Sequence, residues 1–176
     1  MLDGKFELPD IKVTQLSKVY NLELFDCGDN DLNEFLKKDS FAYQDKDIAK
    51  VYLVISSERV IGYFSLQNDA VKLKLSERYL AEIKKPHTEY PAVKIGRLGI
   101  GQEFQRKGLG KLIISIAIGL ITKVKKYSAC RFITVDSYFK SVGFYKKYGF
   151  EVNKHEEYAS KKHYVSMRLD IFSPKV

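Results

Sequence analysis

The stretch from Val93 to Val124 restricts the fold of this chain more than any other part of the sequence. It starts with the apolar, glycine-containing run Val93–Ile100, which predicts a central strand, and continues through a polar loop. After Gly108, apolar residues recur at helical spacing on one face, at Leu109, Leu112, Ile113, Ile116, Leu120 and Val124. This strand, loop and helix predict an α/β or α+β fold and fit all-α and all-β folds poorly.

The rest of the chain predicts further strands and helices around this unit. Cys27–Asn30 supplies turn and N-cap residues for a helix from about Asp31 to the Ala42 region. Val51–Ile55 and Val60–Leu66 are rich in β-branched and aromatic residues, and residues 56–59 between them predict a hairpin turn. Further expected elements are an edge strand within 11–25, a short helix over 76–83, a loop bracketed by Pro86 and Pro91, a strand over 130–135, a helix over 138–148 ended by Gly149, and strands over 150–153 and 163–171.

Length and composition predict one soluble domain over residues 1–176, since 176 residues with 45% hydrophobic side chains can bury one sizeable core. The formal charge of +8 favours polyanions, among them nucleotide cofactors, RNA and acidic membranes. Cys27 and Cys130 have no partner at metal-ligand or redox-motif spacing, so we expect no metal site. The start of the chain lacks a signal peptide, and the longest apolar run, Leu112–Ile121, is shorter than the roughly 20 residues that span a bilayer. We therefore expect a cytoplasmic protein without a membrane partner.

The loop between the predicted central strand and helix has the composition of a phosphate-binding site. Backbone N–H groups at a helix start point outward with the positive end of the helix dipole, and glycines let a pyrophosphate approach the main chain. Arg106 and Lys107 add positive charge, with the alternative that either is merely solvated.

Two common phosphate motifs do not fit this loop. A dinucleotide motif, G-x-G-x-x-G, starting at Gly99 and Gly101 would need a third glycine where Phe104 stands. A Walker A loop counted from Gly101 would need Gly-Lys at the positions of Arg106 and Lys107. Both classes of nucleotide-binding protein are therefore excluded.

The pattern that remains, Gln105-x-x-Gly108-x-Gly110, resembles the Q/R-x-x-G-x-G/A pyrophosphate loop of the GNAT N-acetyltransferase superfamily. The alternative is a glycine-rich helix start that merely packs closely. A second block supports the resemblance, because Cys130–Asp136 and Val142–Glu151 look like the family's strand, helix and terminal F-Y-x-x-x-G-F-E signature. The resemblance implies acetyl-CoA as acyl donor. It also implies that the donor is held by Leu98, Gly99, Ile100, Gln105, Arg106, Lys107, Gly108, Leu109, Gly110 and Lys111. It also implies a GNAT-like mixed, partly antiparallel central sheet of about six to seven strands flanked by helices, splayed between its fourth and fifth strands around the pantetheine.

Tyr145 is the expected catalytic residue, because the resemblance places the signature tyrosine beside the sulfur of the thioester. A phenol with a pKa near roughly 10 protonates a thiolate only when it is closely positioned. The alternative is an aromatic side chain packed against its helix. The carbonyl oxygen of the thioester would accept an N–H from the Gly99–Ile100 strand. Many family members carry asparagine seven residues before the tyrosine, where this chain has Tyr138, so the asparagine's contact to the cofactor is not carried over.

No side chain stands out as a general base for the acceptor amine. Glu103, Asp136, Glu151 and His155 are candidates, each with the alternative of a solvated surface group. A lysine amine with a pKa near roughly 10.4 needs deprotonation, whereas an α-amine near roughly 7.8 is already partly neutral. The sequence therefore favours an α-amino acceptor.

The N-terminal half carries further family-like segments, namely Phe25–Gly28, Leu32–Leu36, Ile61–Leu66 and Arg97–Ile100. They resemble the GNAT toxins of bacterial toxin–antitoxin pairs. That resemblance implies aminoacyl-tRNA as the acceptor and an antitoxin protein as a partner, and the charge of +8 suits RNA. The candidate phosphate contacts are Lys72, Lys74, Arg78, Lys84, Lys85, Lys94 and Arg97.

Three alternatives to the toxin hypothesis stay open at this point. The protein could acetylate a small-molecule amine or a protein amine, or it could bind an acyl-CoA without catalysis. An apolar patch of Leu32, Phe35 and Leu36 on the first helix would suit a homodimer, but we expect these side chains in the core.

Overall fold

The computed structural model of the protein describes residues 11–78, 87–159 and 163–172. Its strands are β1 (Lys12–Gln15), β2 (Lys50–Ser56), β3 (Arg59–Lys72), β4 (Glu89–Ile100), β5 (Phe132–Ser137), β6 (Glu151–Val152) and β7 (Val165–Asp170). Its α-helices are α1 (Asn30–Glu34), α2 (Ser40–Asp45), α3 (Leu75–Arg78), α4 (Leu109–Val124), α5 (Val142–Lys146) and α6 (Glu156–Ala159). A π-helical turn (Phe35–Asp39) separates α1 from α2, and 3₁₀ turns (Gln102–Phe104 and Phe139–Ser141) precede α4 and α5.

Within the described residues, seven strands form a mixed sheet in the hydrogen-bonded order β1-β2-β3-β4-β5-β7-β6. β4 and β5 run parallel, whereas β1–β2, β2–β3, β5–β7 and β6–β7 are antiparallel pairs. With helices flanking the sheet, this architecture confirms the predicted fold class. The described residues form two compact units, one comprising the chain up to Gln67 with Gly96–Ala117, the other Asn68–Ile95 with the chain from Ile118. The single domain over residues 1–176 stays a prediction.

The first unit is built on an antiparallel hairpin of β2 and β3. In the turn that joins these strands, Ser57 and Glu58 both have a left-handed φ, 47° and 59°. Two such residues in succession are typical of a tight hairpin whose twist matches its strands. The turn confirms the prediction for residues 56–59. The core of this unit consists of Leu16, Leu22, Phe25, Cys27, Phe35, Leu36, Val51, Leu53, Ile55 and Tyr63.

The first helix packs its apolar side chains into the core of the first unit. Asp29 is its N-cap, and the Asp29 side chain accepts a hydrogen bond from the Leu32 backbone N–H at 3.2 Å. Phe35 and Leu36 are buried, and Leu32 packs against the same cluster. The expectation that these side chains belong to the core is confirmed. The helix widens into the π turn at Phe35, whose carbonyl accepts the Ser40 N–H.

The second unit is organised around β5. This strand pairs in parallel with β4 from Ala92–Phe132 to Ile95–Val135, and antiparallel with β7 along its whole length. The parallel pairing of β5 with β4 ends at Ile95–Val135. Both strands continue beyond this pair, β4 to Ile100 and β5 to Ser137. The core cluster of this unit includes Val71, Leu73, Tyr90, Ala92 and Phe132.

Some element boundaries differ from those that the sequence predicts. β3 continues to Lys72, past the predicted end at Leu66. β4 includes Pro91, where the sequence predicts a loop; Pro91 stands near the strand start, where a missing N–H is tolerated, and its carbonyl accepts the Arg131 N–H at 2.9 Å. Helix α6 is not predicted by the sequence.

The predicted helix over 76–83 begins in α3, and its residues 79–83 lie outside the described residues. The central amphipathic helix is confirmed. Among the described residues, no helix has both the length and the apolar character needed to cross a membrane.

Candidate active site

The loop from Gln105 to Gly108 joins the end of the Gln102–Phe104 turn to α4 in the first unit. Arg106 has a φ of 62° and Gly108 a φ of 85°, both in the left-handed region. Glycine adopts this conformation without steric cost, whereas a residue with a Cβ rarely does. Arg106, Lys107 and Gly108 are all exposed, and a Cβ added at Gly108 would meet no atom within 4 Å. The loop therefore presents its main chain and two cationic side chains to the surroundings.

The side chain of Gln105 fastens this loop to the rest of the first unit. Its Nε2 donates hydrogen bonds to the Cys27 carbonyl at 2.8 Å and to the Ile100 carbonyl at 2.9 Å. Ile100 is the last residue of β4, so Gln105 ties the loop back to the strand that precedes it. The Gln105 side chain therefore fixes the loop backbone, and its role in a pyrophosphate loop stays a prediction.

Asp26 anchors the turn on which Gln105 depends. Its carboxylate accepts hydrogen bonds from the Gly28 N–H at 2.8 Å, from Asn33 Nδ2 at 2.7 Å and from Gln102 Nε2 at 2.7 Å. The bond from the Gly28 backbone is the main reason that the pKa of Asp26 lies below its usual value. Neither Asp26 nor Gln102 is predicted as a functional residue from the sequence. The local signal for Asp26 is its Asp-x-Gly sequence, which is typical of a turn.

Helix α4 begins directly after the loop, and the Gly108 carbonyl accepts the hydrogen bonds that form the first turn of the helix. The Gly108 carbonyl accepts the N–H of Lys111 at 3.0 Å and of Leu112 at 3.3 Å. Amides in the first turn of an α-helix have no partner within the helix, so this end of α4 suits an anion. Leu109 is buried, and Gly62 on β3 lets α4 approach closely, because a Cβ on Gly62 would lie 3.0 Å from Ile113 Cδ1.

The β4 residues Leu98, Gly99 and Ile100 lead into this loop, and Gly99 is buried against Tyr63. A Cβ on Gly99 would lie 2.5 Å from Tyr63 Cε1, a distance that real Cβ atoms do not show. Tyr63 cannot easily move away, because its hydroxyl donates to the Leu32 carbonyl at 2.7 Å. Burial raises the pKa of Tyr63, so this phenol stays neutral. Glycine at position 99 is thus required by packing.

Tyr145 lies in the second unit on α5, inside an aromatic cluster. Its ring makes edge-to-face contacts with Phe144 at 5.1 Å and with Phe150 at 5.4 Å between ring centroids. The Tyr145 carbonyl accepts the N–H of Phe150 at 3.2 Å, across a turn in which Gly149 has a φ of 84°. Burial raises the pKa of Tyr145 to about 12. The phenol therefore keeps its proton at physiological pH.

The candidate bases mostly have other contacts. Glu103 forms an ion pair with Arg59 at 2.6 Å in the first unit, and Asp136 forms one with Lys94 at 2.9 Å in the second. His155 packs edge to face on the Tyr158 ring. Glu151, on β6, is exposed. Across the described ranges, no group of three or more His, Cys, Asp or Glu side chains is placed to hold a metal ion.

Several candidate phosphate contacts also pair within the protein. Lys72 Nζ lies 2.6 Å from Glu157 Oε2, and Arg97 Nε lies 3.7 Å from Asp31 Oδ2. Lys94 pairs with Asp136, Arg78 Nε donates to a backbone carbonyl, and Lys74 is exposed. Lys84 and Lys85 lie outside the described residues. The paired cations neutralise acidic neighbours, so their net attraction for a phosphate is reduced.

A polar cavity of about 190 Å³ lies within the second unit. Thr134 donates a hydrogen bond to Asp69 at 2.5 Å on its wall, and Lys94 lies 3.9 Å from the same carboxylate. The buried Arg168 guanidinium donates to Asn153, which lines the cavity, at 2.8 Å and pairs with Glu77 at 2.5 Å. This cavity is not predicted from the sequence, because hydrophobic periodicity does not indicate where polar cavities form. Its lining consists of Asp69, Ala70, Val71, Lys94, Thr134, Asn153, Glu157, Tyr158 and Ser166.

Solved structures of bacterial toxins have the same fold. AtaT complexed with acetyl-methionyl-tRNAfMet superposes with a TM-score of 0.80 at 22% identity, covering 92% of this chain and 95% of that one. AtaTR bound with AcCoA gives 0.76 at 23% identity over 92% and 94% of the two chains. A tyrosine-to-phenylalanine mutant of KacT gives 0.77 at 22% identity over 90% and 94%. At these identities the likeness shows the fold.

The family itself is shown by the sequence. The family model described as the acetyltransferase (GNAT) domain matches residues 20–171, which include both glycine-containing blocks and the strands around them. The chain belongs to the GNAT acetyltransferase family.

Proposed function

We propose that this GNAT acetyltransferase transfers the acetyl group of acetyl-CoA to the α-amino group of an aminoacyl-tRNA, as the toxin of a toxin–antitoxin pair in the cytoplasm. The observation that carries the proposal is the loop Gln105–Gly108, in which Arg106 and Gly108 have a left-handed φ and two cations are exposed next to the N-terminus of α4. Such a helix start suits a pyrophosphate. The acceptor is supported by the charge of +8 and by the fold shared with AtaT, which was solved with acetyl-methionyl-tRNAfMet.

The donor site comprises the end of β4, the loop and the start of α4. The loop backbone and the first amides of α4 take the pyrophosphate, with Arg106, Lys107 and Lys111 adding charge. The space beside Gly108 fits this role, because an approaching phosphate would meet no side chain there. The residues assigned to acetyl-CoA are those that the sequence predicts: Leu98, Gly99, Ile100, Gln105, Arg106, Lys107, Gly108, Leu109, Gly110 and Lys111.

Acetyl-CoA supplies a thioester whose carbonyl carbon the amine attacks. The C–N bond forms, the C–S bond breaks, and the thiolate leaves with the electron pair of that bond. We assign Tyr145 as the group that donates a hydrogen bond to the departing sulfur. Its pKa of about 12 keeps it neutral before the reaction. Along this hydrogen bond the phenol gives its proton to the thiolate, and it regains a proton from the one that the amine nitrogen releases. An N–H of the Gly99–Ile100 strand stabilises the charge on the carbonyl oxygen.

The acceptor's own chemistry removes the need for a strong base. An α-amine with a pKa near roughly 7.8 is partly neutral at physiological pH. Glu103 and Asp136 are engaged in ion pairs with Arg59 and Lys94. We infer that water accepts the proton of the ammonium before the attack.

The protein's partners follow from the toxin hypothesis. An antitoxin protein is expected as a partner, as AtaT has been solved bound to the C-terminus of the antitoxin AtaR. A homodimer is a further expectation of the proposal, but the apolar side chains of the first helix would not form its interface, because they are core residues.

The test measures transfer of the radiolabelled acetyl group from acetyl-CoA to a panel of acceptors: charged total tRNA, deacylated tRNA, free amino acids, polyamines and peptides. Label on charged but not on deacylated tRNA is expected. Label on a polyamine or a peptide alone would contradict the proposed acceptor, although the protein would still be an acetyltransferase.

A further inference from the structure

Two tyrosines form an aromatic pair at the surface of the second unit, where β5 and β7 meet. The last residue pair of these antiparallel strands is Ser137–Val165, so Tyr138 and Tyr164 stand side by side just beyond it. Their ring centroids are 5.3 Å apart, with 38° between the ring planes. Lys140 Nζ lies 5.5 Å from the centroid of the Tyr138 ring. We call Tyr138, Lys140 and Tyr164 the aromatic platform.

The aromatic platform is not part of the core of the second unit. The Tyr164 side chain is 41% exposed, and Tyr138 is half-buried. Phe139, which follows Tyr138, is 63% exposed. A partly exposed aromatic pair at a surface offers ring area to a partner, and a cation beside it attracts an anionic one.

The surroundings of the platform favour RNA as that partner. Lys146 and Lys147 on the segment that follows are exposed, and the whole chain carries a charge of +8. Proteins that bind single-stranded nucleic acid combine such cations with aromatic rings on which bases stack. Tyr138 also precedes Tyr145 by seven residues, which form a 3₁₀ turn and a short helix. The rise per residue in these elements separates the two positions by roughly 10–14 Å along the chain axis. A base on the platform would therefore lie within a few nucleotides of Tyr145.

We propose that the aromatic platform stacks an unpaired nucleobase of the acceptor RNA, near the end that carries the amino acid. This inference rests on the proposed function and adds a binding site to it. Tyr138, which replaces the asparagine of many family members, takes the role of a base-stacking residue, and Lys140 contacts the adjoining phosphate. The Tyr164 ring supports the Tyr138 ring and extends the stacking surface.

The experiment compares binding of two probes: deacylated tRNA, and the same tRNA lacking its unpaired 3′ nucleotides. Fluorescence anisotropy gives a Kd for each. We expect wild type to prefer the full-length tRNA, and Tyr138→Ala and Tyr164→Ala each to weaken that binding about 5- to 100-fold while leaving the truncated probe unaffected. Tyr138→Phe keeps the aromatic face and should stay within about twofold of wild type. Tyr127→Ala is the matched control, since Tyr127 is 92% exposed and lies outside the platform.

The outcomes separate this inference from the proposed function. Equal Kd values of wild type for the two probes, or equal losses on both probes in the variants, would overturn the platform. A platform that contacts an antitoxin instead would show loss of antitoxin binding with unchanged tRNA binding. If Tyr138→Ala selectively lowers tRNA binding but charged tRNA is never acetylated, the proposed function fails and the platform stands. Acetyl-CoA affinity equal to wild type shows that each variant is folded.

Discussion

In the proposed mechanism, Tyr145 is the residue on which the chemistry depends most. Replacing it by phenylalanine removes the hydroxyl but keeps the ring that packs between Phe144 and Phe150. We expect kcat to fall by about a hundredfold or more, because the thiolate loses its hydrogen-bond donor, while the Kd for acetyl-CoA stays unchanged. Steady-state thiol release and calorimetric titration measure the two quantities. Turnover equal to wild type would exclude Tyr145 from the reaction.

The pKa of Tyr145 bears on the alkaline side of the pH profile. With a pKa of about 12, the phenol stays protonated throughout the working range and contributes no loss of activity on the alkaline side. The amine, in contrast, gains reactivity as pH rises through roughly 7.8. The rate of transfer to charged tRNA, corrected for ester hydrolysis, should therefore rise from about pH 6 and level off above about pH 8. A decline between pH 8 and 9 would show that a group other than a neutral tyrosine acts as the acid.

Gly99 illustrates a residue whose identity is fixed by packing. Gly99→Ala places a Cβ 2.5 Å from Tyr63 Cε1, and the hydrogen bond of Tyr63 to Leu32 resists its displacement. We expect the free energy of unfolding to fall by ~1–3 kcal/mol in urea denaturation. Gly119→Ala, on the exposed face of α4 with nothing within 4 Å, should instead be neutral or stabilising by up to ~1 kcal/mol. Similar effects of both substitutions would refute the packing argument.

At the scale of elements, the loop before α4 makes the most direct prediction about the cofactor. Gly108 has a φ of 85° with free space around it, so Gly108→Ala causes backbone strain rather than a clash. We expect the strain to cost ~1–2 kcal/mol and the new methyl to obstruct the pyrophosphate, raising the Kd for acetyl-CoA about tenfold. Gly119→Ala is again the control. An unchanged Kd in calorimetry would remove Gly108 from the donor site.

The elements with strong local signals were predictable from the sequence. The turn at Ser57 and Glu58, the Asp29 N-cap and the periodicity of α4 depend on neighbours within a few residues. The loop before α4 was predictable for the same reason, because its glycines and cations are contiguous. Its role in binding acetyl-CoA stays a proposal.

Other elements depend on long-range contacts that local patterns do not encode. The polar end of β3 lies in a strand although Asp69 interrupts the apolar pattern, since Thr134 on β5 donates to its carboxylate. The π turn at Phe35 keeps Phe35 and Leu36 in the core at the expense of regular periodicity. The polar cavity and the anchoring role of Asp26 likewise arise from residues that are distant in the sequence.

At the scale of the whole molecule, the excess of positive charge predicts how RNA binding responds to salt. Each phosphate contact releases condensed counterions, so affinity falls with the logarithm of salt concentration. With two or more contacts, tRNA affinity should drop at least about tenfold between roughly 50 and 200 mM salt. Anisotropy titrations at several salt concentrations give the slope. A slope near zero would indicate that the charge of +8 does not serve RNA binding.

The most direct measurement of the central claim is acetyl transfer to charged and to deacylated tRNA, followed by nuclease release of the terminal aminoacyl-adenosine. We expect labelled acetyl on the α-amino group of the released aminoacyl-adenosine with the wild-type protein, and nearly none with Tyr145→Phe. No label on charged tRNA, in a preparation that binds acetyl-CoA and acetylates another amine, would contradict the account.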